Sequence, residues 1–153
     1  MSLREARTKK NLSQMQLADL VDKGQCDISA YELQRRNIDQ ARPVTICKLA
    51  YVLGCKVWEI VNDKELSELL EKVSKYDSQC TKEFWRMRKK RKLHQYDLAA
   101  AVGVHRSTIS EWESKGMRNS RIKYIALLCD VMKCHPTDII EDPELQRLMS
   151  EVF

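Results

Sequence analysis

The sequence predicts an all-α fold made of two small helical bundles in tandem. Three observations carry this. Glycine and proline are scarce, at 4 and 3 of 153 residues. Apolar residues recur at helical spacing along the chain. The first half overlies the second. At a shift of 81, Arg7, Lys9, Leu12, Gln14, Leu17, Ala18, Val21, Ile28, Ser29 and Glu32 meet identical residues from Arg88 to Glu113. A two-residue deletion then changes the shift to 79, and Arg42, Ile46, Leu49, Val52, Cys55, Ile60, Asp63, Leu66 and Leu69 meet identical residues from Arg121 to Leu148. Two copies are too few for a solenoid, so the pattern reads as one helical module duplicated. The expected units are residues 1–75, a linker at 76–83, and residues 84–153.

The second copy justifies the helices in order. A basic helix is expected over 84–92 and a second over 93–102. Gly103 ends the latter, because glycine adopts the left-handed stop without a Cβ penalty. A third helix covers 107–113, with Ile109 and Trp112 facing inward. A polar, basic loop follows at 115–121, then a fourth helix over 122–132. Pro136 suits an early position of a fifth, at 136–140. In the first copy Asp22 stands where Gly103 falls, and aspartate tolerates the left-handed conformation better than most residues. Each copy then closes with an amphipathic helix. Leu66, Leu69, Leu70 and Val73, and Leu145, Leu148, Met149 and Val152, follow the i, i+3, i+4, i+7 rule. Asp63 and Asp142 are the expected caps. These stripes are expected to pack on their own module, with dimerisation through one of them as the alternative.

Composition narrows the function classes. Hydrophobic residues reach 43% and charged residues 32%, enough for a packed core. No run approaches the 18 apolar residues of a membrane span, and the N-terminal residues show no export signal. A cytoplasmic setting is therefore expected. There the six cysteines stay free, read as small buried hydrophobes; their spacing does not suggest a zinc site. No paired carboxylates, nucleophile–base pair or metal constellation stands at recognisable spacing, so neither an enzyme nor a cofactor is expected.

Residues 94–113 (HQYDLAAAVGVHRSTISEWE) resemble the helix-turn-helix domain of the Cro and phage-repressor type, also called the xenobiotic-response-element family. The resemblance rests on Gln95, Leu98-Ala99, Val102-Gly103-Val104, Ser107-Thr108-Ile109-Ser110 and Trp112-Glu113. Residues 13–32 keep Ser13-Gln14, Leu17-Ala18, Val21, Ile28-Ser29 and Glu32. The resemblance implies a lambda-repressor-like bundle of about five helices in each copy, and binding of double-stranded DNA.

A recognition helix sets its N-terminal residues against base edges in the major groove. In the second copy these are His105, Arg106 and Ser107, with Ser110 and Glu111 one turn on. Arg106 has the fork that fits guanine O6 and N7. In the first copy they are Gln25, Cys26 and Ser29, and Gln25 fits adenine. Gln14 and Gln95 open the preceding helices and are candidates for phosphate. So are Arg35, Arg36, Asn37 and Arg42, and Lys115, Arg118, Asn119 and Arg121. Glu32 and Glu113 read as structural partners of Arg7 and Arg88. Residues 1–80 carry a net +1 and residues 81–153 a net +4, so the second copy attracts a polyanion more strongly.

The expected function is a sequence-specific transcriptional regulator, a repressor of bacterial or mobile-element origin, acting without a cofactor. The alternative is a mobile-element factor, such as an antitoxin or an inhibitor of a host nuclease, whose first module binds protein. A second copy of the chain is a further partner to consider; a membrane is not.

Overall fold

A computed structural model describes all of residues 1–153. Helix starts and stops follow from side-chain chemistry. Ser2 opens α1 (Leu3–Lys9): its Oγ accepts from the Glu5 N–H while the Glu5 carboxylate accepts from the Ser2 N–H. Ser13 and Gln16 repeat this reciprocal cap at α2 (Gln14–Leu20). Asp22 follows with φ +57°, the left-handed turn expected of it, and leads to α3 (Gln25–Glu32). A 3-10 turn at Ile38–Gln40 precedes α4 (Pro43–Leu53), which Gly54 ends at φ +67°. The short α5 (Val57–Ile60) and α6 (Lys64–Ser74) complete the first half.

The second half runs through α7 (Phe84–Lys90), α8 (Gln95–Val102), α9 (Arg106–Lys115), α10 (Ile122–Met132) and α11 (Pro143–Val152). The all-α class is therefore as the sequence predicts. Asp63 and Asp142 cap α6 and α11 by accepting from the Leu66 and Leu145 N–H groups, at 2.8 and 2.9 Å. Four elements differ from expectation. α7 ends at Lys90 rather than at 92. α8 begins at Gln95 because Asp97 accepts from the His94 N–H at 2.8 Å and fixes the start there. α9 continues to Lys115, so this lysine lies in a last helical turn rather than in a loop, and Gly116 ends it at φ +80°. The expected fifth helix at 136–140 is only a 3-10 turn over Pro136–Asp138.

The buried side chains of both halves form one continuous core. The trailing helices explain why. Each touches its own module, α6 at α5 and α11 at the 3-10 turn over Pro136–Asp138, but α6 also packs along α10 and α11 along α4, beyond the expectation of packing within one module. Each half thus lends a helix to the other. Polar contacts lock both seams. Lys72 reaches Asp130 at 2.9 Å, and the Tyr76 hydroxyl donates to the same carboxylate at 2.9 Å. Lys48 pairs with Glu144 at 3.3 Å, and Lys56 Nζ donates to the backbone carbonyls of Glu151 and Phe153, each at 3.1 Å.

The connection between the halves is pinned as well. Asp138 is fully buried, and its carboxylate accepts from the Gln79 N–H at 2.9 Å, the Ser78 hydroxyl at 3.0 Å and the His135 N–H at 3.1 Å. Thr81 donates to the Asp138 carbonyl at 2.9 Å. Burial holds the His135 pKa below its ordinary value, and the nearby Asp138 charge only partly opposes this. As pH falls through about 6.5, the unfolded imidazole takes up its proton before the folded one does. His135 therefore contributes stability that is present above that pH and lost below it. The urea midpoint should fall between pH 7.5 and 5.5, and His135→Asn should flatten that fall. An equal fall in both proteins would remove His135 from the explanation.

Candidate nucleic-acid interface

In each half a buried carboxylate fixes the candidate recognition helix. Glu32, at the end of α3, has a fully buried side chain. It accepts from Arg7 Nε of α1 at 2.6 Å and from Gln14 Nε2 of α2 at 2.9 Å. Arg7 also donates to the Leu12 carbonyl at 2.7 Å. Burial pushes the Glu32 pKa up, but the hydrogen bonds from Arg7, Gln14 and Arg4 outweigh it, and the carboxyl sits below its ordinary value. Glu113 repeats two of these bonds in the second half, from Arg88 of α7 and from Gln95 Nε2 at 2.8 Å, while Trp85 stands at the position matching Arg4. Arg88 donates in turn to the Leu93 carbonyl. The expected pairing of Glu32 with Arg7 and of Glu113 with Arg88 is thus present. It also engages Gln14 and Gln95, the phosphate candidates, as internal ties.

The outward faces of α3 and α9 hold the base-reading candidates. Gln25 and Cys26 are exposed in the first turn of α3, and Ser29 is half-buried one turn on. Gln25 makes no side-chain hydrogen bond within the chain. Arg106, Ser107, Ser110 and Glu111 are all exposed on α9. Arg106 likewise has no partner within the chain, so its guanidinium stands free at the helix start. Glu111 lies 3.4 Å from Lys115. His105 caps the helix: Nδ1 accepts from the Ser107 N–H at 3.2 Å and lies 2.7 Å from the Ser107 hydroxyl. His105 and Ser107 are therefore first a helix start.

The cations sort into engaged and free. Arg36 pairs with Asp27 at 2.7 Å, which holds the Asp27 pKa down together with the Gly24 N–H. Arg118 bridges Asp142 at 2.8 Å and Glu144 at 3.5 Å, tying the α9–α10 loop to the start of α11. Arg35, Arg42, Asn119 and Arg121 are exposed, and none makes a side-chain bond within the chain. Asn37 caps the 3-10 turn by accepting from the Asp39 N–H at 3.0 Å. Arg121 also lines a cleft of about 340 Å³ at the seam between the halves, with Asp39, Asp63 and Lys123.

Most cations of the basic segment Arg86–Lys92 have partners within the chain. Arg86 pairs with Glu83, and Arg88 with Glu113. Lys90 donates to Gln79 at 2.8 Å. Arg91 donates to the Met132 carbonyl at 2.7 Å and so caps the C-terminal end of α10. Two exposed features were not singled out from the sequence. Tyr96 stacks on His94 at 5.0 Å, beside the start of α8. Leu33 and Ser114 continue the outward rows of α3 and α9 by one turn. The helical repeat counted from Cys26 and from Ser107 would have found the latter pair.

Residues 86–139, from α7 to the turn at Asp138, match a family model described as helix-turn-helix. The match covers about a third of the chain and lies wholly within its second half. No curated protein and no solved structure matches the chain. No helix is long and apolar enough to cross a membrane.

Proposed function

We propose that the chain is a sequence-specific double-stranded DNA-binding transcriptional regulator, a repressor of bacterial or mobile-element origin. In this reading it is a tandem pair of helix-turn-helix modules, residues 1–75 and 84–153, joined by the linker at 76–83. The observation that carries it is Arg106. It stands unpaired and exposed in the first turn of α9, within the segment that matches the helix-turn-helix family. Base reading falls to Arg106, Ser110 and Glu111 on α9 and to Gln25, Cys26 and Ser29 on α3. Phosphate contact falls to the cations left free, Arg35, Arg42 and Arg121, with Asn119 and Lys115. The exchanged helices join the two faces in one core, and a tandem pair reading DNA as a symmetric dimer does calls for a bipartite site with half-sites about one helical turn apart.

Selection from a random duplex pool at two salt concentrations tests this. A bipartite site whose affinity falls steeply with salt supports the proposal, and no enrichment at either salt overturns it. Arg106→Ala should cost about 1–3 kcal/mol on the selected site and relax the choice at one base pair. Equal weakening on every sequence would remove Arg106 from base reading.

A second reading has the first half bind protein instead of DNA. It is favoured by Met15, Leu20 and Leu33, which are 58%, 56% and 48% exposed on α2 and at the end of α3. The matched positions of the second half are Tyr96, Ala101 and Ser114. Enrichment of a single half-site, unchanged by substitution of Gln25, would favour this reading.

A further inference from the structure

Resting on the DNA-binding reading above, we infer that the two recognition faces are built for different base pairs: α3 for an A·T half-site and α9 for a G·C half-site. Residues in a helix are about 100° apart around its axis. Gln25, Cys26, Ser29, Ala30 and Leu33 therefore share one face of the first helix, and Arg106, Ser107, Ser110, Glu111 and Ser114 share the matching face of the second. Ile28 and Tyr31 are buried on the opposite side of α3, and Ile109 and Trp112 on that of α9.

The chemistry of the two faces differs throughout. The α3 face carries no charge. Its polar reader is Gln25, whose amide offers one donor and one acceptor to adenine N7 and N6. Its other members are small or apolar, and a thymine methyl in the major groove is the base feature that apolar side chains contact. Asp27 would set a negative charge close to this face. It is held instead by the Gly24 N–H at 3.2 Å and by Arg36 at 2.7 Å, and so is neutralised where it stands. The α9 face is the reverse. Arg106 is an unpaired fork for guanine O6 and N7. Glu111, one turn on and 3.4 Å from the exposed Lys115, keeps carboxylate lone pairs suited to the cytosine N4 amino group. Together they fit a half-site containing guanine and cytosine and offer nothing to a thymine methyl.

Random-pool selection with the full chain is the first test. The expected product is a bipartite site with one A·T-rich and one G·C-containing half. Base analogues then probe the selected duplex. Uracil for thymine removes the methyl group and should weaken binding about four-fold for each contacted methyl in the A·T half, with little effect in the other. 7-Deazaguanine in the G·C half removes the acceptor opposite Arg106 and should weaken binding by about ten-fold. Gln25→Arg should convert one A·T preference to G·C in the first half alone. Arg106→Gln should do the reverse in the second half alone. Two halves of like composition, or uracil without effect, would overturn the assignment while leaving DNA binding intact. A single enriched half-site would overturn the α3 assignment if it is G·C-containing and unchanged by Gln25 substitution, and the α9 assignment if it is A·T-rich and unchanged by Arg106 substitution. No enrichment of any sequence would overturn the DNA-binding reading and this inference with it.

Discussion

Leu148→Asp should unfold the first half of the chain, although Leu148 lies near its far end. Leu148 is 3% exposed on α11, and α11 packs along α4 of the first half. A carboxylate there is desolvated and leaves the seam without its apolar filling. The expected cost is about 3–5 kcal/mol, as for an uncompensated buried charge. Hydrogen exchange reads the outcome. Amides of α4, residues 43–53, should lose protection together with those of α11. Leu70→Asp on α6 should strip protection from α10 in the same way. If Leu148→Asp opened α11 while residues 43–53 stayed protected, the exchange of helices would not be contributing to the stability of the first half.

Glu32→Ala should be nearly as damaging. It leaves Arg7, whose side chain is 12% exposed, without its main partner, and leaves the Gln14 amide unsatisfied. A loss of about 3–5 kcal/mol is expected, seen as a lower urea midpoint with an unchanged slope. Glu32→Gln keeps an acceptor of the same shape and should cost less. Glu113→Ala should behave alike in the second half, with Arg88 and Gln95 as the stranded partners. A loss below about 1 kcal/mol would mean that water replaces the carboxylate and that the ties do not hold α3 and α9.

Much of this was legible beforehand, and for identifiable reasons. Local chemistry acts over three or four residues, so the Asp63 and Asp142 caps and the left-handed Asp22 and Gly103 could be read from neighbours alone. Matched spacing gave the partners of Glu32 and Glu113, because the same Arg and Glu recur 25 residues apart in both halves. What lay beyond reach was anything decided by a distant surface. The stripe Leu66, Leu69, Leu70, Val73 shows that one face of a helix is buried, but not what buries it, and the true neighbour is α10. The partners of the cations lay beyond reach for the same reason. Arg36, Arg118 and Arg91 look free in sequence, yet each meets an acceptor 9 to 41 residues away, Asp27, Asp142 and the Met132 carbonyl. The segment 136–140 is too short for periodicity to tell a 3-10 turn from a helix.

The pinned connection at Ser78, Gln79 and Thr81 has a consequence for how the two faces can change over time. A pair of separate, identical subunits must change both faces at once, and any unlike pair it forms competes with two like pairs. Here the two faces belong to one covalent chain whose joint is held by Asp138. Each can drift without mispairing with the other, and the pair persists at any dilution. In the proposed reading, Gln25 on one face and Arg106 on the other are the kind of divergence that such a fused pair permits and a symmetric dimer forbids.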